Sequence, residues 1–263
     1  MKRSNDMAGS LTRILSQVYK NLYSLKRNSF RLADIFIWPM IFLFTLTFFV
    51  TYLGTDKMYL NMIILGMIGW RVIYFLNLEM VSTFTEEYWS KSLPYLMASP
   101  ISRLEMALGS ALSGLIKAII VVFIYLIMTN ILYGFVVTDW ALFIIAMFFM
   151  AIIGFTMGLF TLGLAYFMKE DAFNIAFIVP DVIVLLSGVY FTIDSVYPAW
   201  VIPIIRLLPS VHAFDILKAM VGIGQVEPIM LIATSACWLA ASYLFNGWMY
   251  ERARKAGKLA RLG

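Results

Sequence analysis

Long apolar runs separated by short polar breaks dominate this chain. Before the first run, Leu11, Ile14, Leu15, Val18, Leu22 and Leu25 recur at helical spacing, with Arg13, Lys20, Lys26 and Arg27 between them. The pattern predicts a basic amphipathic helix over 11–32. It would lie in a membrane interface with its cations toward anionic headgroups, or against a soluble partner. Residues 1–10 read as a loose polar tail. A membrane-spanning helix needs about 20 apolar residues. Six stretches qualify: 35–53, 58–84, one within 108–134, one within 141–168, 172–191 (interrupted at Pro180-Asp181) and 228–250. Gly154 and Gly158 form a G-x-x-x-G pair suited to close helix contact.

Two segments depart from this rhythm. In 86–105, Trp89, Leu93, Leu96 and Met97 fall at i, i+4, i+7 and i+8, one face of a short helix. Pro100 ends that turn. Ser102 can cap the next helix, with Glu105 three residues on as a capping box. A short helix between two spans serves as a docking surface or as a plain solvated connector, and periodicity does not choose between them. The second segment, 192–227, is apolar yet holds Pro198, Pro203 and Pro209. That spacing forbids one long helix. Two short helices dipping part-way into the membrane and returning fit it, as does a surface loop. At membrane depth, irregular backbone needs cover from protein or a water-filled cavity.

Composition strengthens the membrane reading. Of 263 residues 62% are hydrophobic and 13% charged, against about a quarter charged in an ordinary soluble domain. The expected architecture is an all-α membrane protein: a single domain over 1–263, six transmembrane helices, an interfacial helix and the two unusual segments. With the first apolar run starting only near Ile35, no signal peptide is expected. The net charge of +5 records topology rather than a nucleic-acid partner. Seven Lys and Arg lie in the N-terminal segment, two in 86–105, one at Lys169 and five in the tail; Lys57, Arg206 and Lys218 fall on the other side. The positive-inside rule then places both termini and the 86–105 segment in the cytoplasm of a cell with this chain in its plasma membrane. A lone cysteine, Cys237, leaves no intrachain disulfide.

Candidate chemistry is sparse. Arg71, Glu79, Lys117 and Asp181 are charges inside predicted spans, each costly there unless paired or hydrated. Lys117 and Asp181 lie at similar depth, so Asp181 is expected to pair with Lys117 or Arg71. Such a pair would act as a polar clip or line a substrate path. His212, the only histidine, has Ser210 and Asp215 nearby but no nucleophile-elbow glycines, and reads as a loop cap. No phosphate-loop motif occurs and no metal cluster is evident. The chain is not expected to be an enzyme, and ATP and Mg²⁺, if used, would be bound by a separate polypeptide.

Glu87, Leu93, Leu96, Ser99-Pro100, Ser102, Glu105 and Gly109 together resemble the first cytoplasmic loop of the ABC type-2 exporter permeases. Leu186-Ser-Gly-Val-Tyr-Phe191, Tyr197-Pro-Ala-Trp200, Leu208-Pro-Ser-Val-His-Ala213 and Gly222 resemble that family's last extracellular loop. The likeness covers nearly the whole chain, with one departure: Lys91 stands where the family often has glycine. The resemblance implies an ATP-driven exporter subunit that dimerises, most simply with a second copy, and receives two copies of an ATPase. Glu87, Trp89, Leu93, Pro94, Leu96, Ser99 and Pro100 would couple to the ATPase. Gly188, Tyr190, Pro198, Trp200, Pro203, Pro209 and His212 would form a re-entrant gate. Implied cargoes are a glycan or lipid-linked polymer, or a small amphipathic drug. The reading from a different class is a stand-alone channel or secondary transporter using the intramembrane charges.

Overall fold

The computed structural model describes residues 2–27, 29–168 and 171–259, excepting the side chains of 2–8, 27, 29–31 and 34. Among these residues the chain is helical, with no strand. In order come α1 (Lys2–Arg27), α2 (Ser29–Tyr52), α3 (Lys57–Trp89), α4 (Leu93–Ala98), α5 (Arg103–Tyr133) and α6 (Trp140–Met168). Then follow α7 (Ala172–Ser187), α8 (Ile193–Val196), α9 (Ile202–Ile205), α10 (Pro209–Ala219) and α11 (Pro228–Lys255). The chain is an all-α membrane protein that crosses the membrane several times.

The amphipathic helix expected over 11–32 is α1, and it begins at Lys2, so the expected loose tail over 1–10 is helical from residue 2. The side chain of Arg27, and Lys169 with Glu170 of the expected charged turn, lie outside the described residues. Among the described residues five helices are long and apolar enough to cross a membrane: α2, α3, α5, α6 and α11. The run expected over 172–191 forms α7, only 16 residues, about 24 Å at 1.5 Å per residue. That is short of a hydrocarbon core of about 30 Å. Gly188 ends it in the left-handed region at φ +60°.

α3 is the axis of the bundle. It runs 33 residues and is buried almost without a break from Met62 to Glu87, touching α2, α5, α6, α7 and α10. Small residues on its neighbours bring the helices close. A β-carbon on Gly154 of α6 would lie 3.0 Å from Ile73 Cα, and one on Gly158 would lie 2.3 Å from Met80 Sδ. The expected G-x-x-x-G contact is therefore made, against α3. Two apolar clusters result. One fills the middle, with Ile64, Ile73, Val121, Tyr125, Met150 and Phe214. The other fills the end that carries most of the cations, with Phe84, Leu93, Met106, Leu162, Tyr166 and Ala253. That basic end gathers α1, α4 and the last turns of α11. The opposite, proline-rich end carries α8 to α10.

Candidate functional site

At the basic end, α3 continues through Trp89 before the chain breaks. Glu87 and Trp89 thus belong to α3, not to one short helix with Leu93 and Leu96 as the spacing suggested. Three residues make the break. Lys91 lies between Ser90 and Ser92 at φ +59°, the one described non-glycine residue in the left-handed region. Glycine enters that region freely, so Lys91 holds a conformation that a glycine at the same position would adopt without strain. Ser90 Oγ donates to Glu86 O at 2.7 Å, and Ser92 Oγ donates to the Glu87 carboxylate.

The short helix α4 has six residues, with Pro94 in its first turn. Leu93 is buried, and Leu96 and Met97 pack on the same apolar cluster. Of the predicted coupling residues, Leu93 and Leu96 therefore face the bundle. The outward side carries Tyr95, 80% exposed, a position the apolar periodicity did not single out. Ser99 is extended, as the residue before Pro100 must be. Ser102 and Glu105 complete the expected capping box: Glu105 N donates to Ser102 Oγ at 3.2 Å, and Ser102 N to Glu105 Oε2 at 2.7 Å.

Helix α1 clamps this region through two of its cations. Arg13 forks onto Glu105 with contacts of 2.9 and 2.6 Å, and Lys20 pairs with Glu87. Between these pairs Gln17 Nε2 donates to Asn21 Oδ1 at 2.9 Å, and Asn21 Nδ2 to Thr83 Oγ1 at 3.0 Å. Two of the cations expected to face headgroups therefore bind carboxylates of α3 and α5. Leu11, Leu15, Tyr19 and Tyr23, four residues apart, are exposed beside Thr12, Ser16 and Lys20.

A cleft of about 710 Å³ opens between α1, α3 and α7. Lys20, Glu87 and Trp89 line its mouth, Phe75 and Phe173 its walls, and Glu79 and Lys117 its inner part. Lys117 Nζ lies 2.5 Å from Glu79 Oε2, both side chains buried. The expected pairing of Asp181 with Lys117 or Arg71 does not occur. Lys117 is held by Glu79, and Arg71 Nε donates to Tyr125 Oη at 3.1 Å. Asp181 faces outward from α7 and has no ion pair among the described residues. Depth alone misled, because helix rotation decides which charges meet. Asn77 is a polar tie the sequence reading missed. It donates to Ala176 O at 2.9 Å and accepts from Thr161 Oγ1 at 2.6 Å, joining α3 to α7 and α6.

The proline-rich end divides its predicted gate residues. Pro198, Trp200 and Pro203 are exposed around α8 and α9, while Gly188, Pro209 and His212 are buried and Tyr190 is half-buried. Helix α10 turns back into the bundle. A β-carbon on Gly69 of α3 would lie 2.8 Å from Leu217 Cδ1 and 3.1 Å from Phe214 Cε1. His212 Nε2 meets Arg206 O at 2.8 Å, so it caps the end of α9. Ser210 bonds Ser187 at 2.6 Å and Asp215 bonds Lys218 at 3.0 Å, which leaves no catalytic dyad with His212. Arg206 bridges Asp194 at 3.3 Å and Glu227 at 3.4 Å. Among the described residues no group of three His, Cys, Asp or Glu is placed to hold a metal ion.

A family model described as "ABC-2 type transporter" matches residues 12–221, from α1 to the end of α10. No curated protein matches the chain.

Proposed function

Because the chain belongs to the ABC-2 type transporter family, and so is the membrane-embedded permease subunit of an ABC transporter, we propose that it is the permease of an exporter driven by a separate ATPase. Two copies of that ATPase would bind ATP and Mg²⁺ and dock on α4 in the cytoplasm. Two copies of this chain would form the membrane unit in the plasma membrane, with both termini cytoplasmic. The cargo would be a glycan or lipid-linked polymer, or an amphipathic small molecule, leaving past α8 to α10.

One observation carries this reading. α4 hangs from the end of the central helix on a buried Leu93, 2% exposed, and turns Tyr95 outward, 80% exposed. A force on Tyr95 is passed through Leu93 to α3, α5 and α6, which share its apolar cluster. The cations of α1 support the same end, since Arg13 and Lys20 bind α5 and α3 to it. The stand-alone channel reading draws less support. It needs a file of hydrated charges, whereas Glu79 and Lys117 close on each other.

The test is a disulfide cross-link in membranes between single cysteines at Tyr95 or Ala98 and co-expressed ATPase subunits. A specific link at Tyr95, absent at the buried Leu93, is expected. Solute flux through liposomes of this chain alone, with no link to any ATPase, would overturn the reading.

A further inference from the structure

Arg71 lies near the middle of α3, about 14 residues from its outer start, roughly 21 Å along the axis. The residue is 8% exposed. Its Nε donates to Tyr125 Oη at 3.1 Å, and that hydroxyl in turn donates to Pro39 O at 2.6 Å. The guanidinium carbon stands 5.3 Å from the centre of the Phe42 ring and 5.7 Å from that of Tyr74. Among the described residues no carboxylate is within ion-pair distance of Arg71. Glu79 and Lys117, two turns away, cancel each other. Among the described residues Arg71 therefore has no counter-charge in contact with it. A guanidinium does not shed its proton, and a bare charge at that depth is costly. Ring contacts offset part of the cost, but rings accept no hydrogen bond in the guanidinium plane. The two Nη groups are left without an acceptor among the described residues.

A second donor nearby is also unmatched. Tyr190 has its hydroxyl buried and without a partner, and its ring centre is 6.3 Å from that of Phe42. Phe42 thus neighbours both Arg71 and Tyr190, and is itself 38% exposed. Unused donors of positive sign beside an accessible aromatic ring complement an oxyanion attached to an apolar body. Arginine binds phosphate and carboxylate through two parallel hydrogen bonds. A cationic amphiphile would be repelled, and a small free anion would lack apolar surface to cover Phe42.

We propose that Arg71, with Tyr190 as a second donor, receives the phosphate or carboxylate head of an amphiphile midway through the membrane. The site itself does not depend on the exporter reading. Calling its occupant cargo does, and a single charge suits a waypoint, since binding must be weak enough for onward release.

The test is thermal unfolding of the purified chain in neutral dodecyl maltoside micelles, titrated with dodecyl phosphate, dodecyl trimethylammonium or inorganic phosphate. Dodecyl phosphate should raise the midpoint by a few degrees through mass action, while the other two should not. The rise should vanish in Arg71→Gln and survive in part in Arg71→Lys. Tyr190→Phe should weaken the apparent affinity about tenfold, a hydrogen bond to a charged group being lost; this variant keeps the test valid if Arg71→Gln does not fold. An equal rise in wild type and in the Arg71→Gln or Tyr190→Phe variants, or a rise with inorganic phosphate alone, overturns the site. Replacing part of the phosphatidylcholine with phosphatidylglycerol in nanodiscs separates the sources. An Arg71-dependent rise there assigns the head to a bilayer lipid and overturns its standing as cargo. Since no ATPase is present, failure here leaves the Tyr95 cross-link free to succeed, and the reverse.

Discussion

The two ends of the molecule use the same chemistry, arginine and lysine on carboxylates, with opposite burial. At the basic end Glu87 is 8% exposed and Glu105 7%, and each receives a cation from α1. At the proline-rich end Arg206 reaches two acids whose side chains are 62% and 36% exposed, at 3.3 and 3.4 Å. Exposed pairs contribute about 0–1 kcal/mol, since water competes and long side chains lose freedom. At the basic end Arg13 and Lys20 are themselves 34% and 46% exposed, so the contrast lies in the acids: removing either cation leaves a buried carboxylate without its partner. The basic end is therefore built as one stiff piece that joins α1, α3 and α5, whereas the ion pairs that tie α8 and α9 to the start of α11 part at small cost, with α10 behind them packed into the bundle. That contrast fits the proposed route, from an ATPase docked at the basic end to an exit at the proline-rich end.

Burial predicts a gradient of mutational cost that starts beneath the basic end. Lys117→Met leaves the Glu79 carboxylate, 4% exposed at the inner part of the cleft, without its cation and should cost about 3–5 kcal/mol, the largest loss of midpoint in detergent. Changing Glu79 to Leu as well should recover most of it. If the double variant is no better than Lys117→Met, the pair is not what holds those charges. Next is Leu93→Ala, expected to cost about 2–5 kcal/mol because the apolar cluster closes poorly around the gap. Transport should fall with it, while a cross-link from Tyr95 persists. Arg206→Ala should shift the midpoint least among the charge changes, by under about 1 kcal/mol. A loss as large as that from Lys117→Met would erase the contrast between the ends.

How much of this was legible in the sequence follows the range of each interaction. Local signals read correctly: the capping box at Ser102 and Glu105, the stop at Pro100, and the close contact at Gly154 and Gly158. Long-range partners did not. Residues 86–89 look like the start of a loop because they are polar, yet they stay helical since Lys20 of α1 meets Glu87. The bond between Lys117 and Glu79 joins residues 38 apart, and its choice over Asp181 rests on helix rotation, which no spacing encodes. Tyr95 went unseen because the stripe from Trp89 to Met97 assumed one continuous helix. The break at Lys91 resets the rotation, and Leu93 and Leu96 turn inward. The short α7 has a similar origin: apolar residues continue to Phe191, but Gly188 has already ended the helix.

The smallest change tests whether that break belongs to the stiffness of the basic end. Lys91 adopts φ +59°, a conformation that costs a residue with a β-carbon roughly 1–2 kcal/mol. Glycine avoids this cost but loses more freedom on folding, so Lys91→Gly should gain under about 1 kcal/mol. The informative comparison is with Lys91→Ala, which keeps the strain and removes the charge. If the glycine variant is more stable than wild type and still cross-links from Tyr95, the loop is set by backbone alone and Ser92 suffices to hold α4 against Glu87. If both variants lose the cross-link equally while their midpoints stay near that of wild type, the ammonium group itself touches the ATPase. The docking face would then run from Lys91 to Tyr95, and the stiff piece would end one residue earlier, at Ser90.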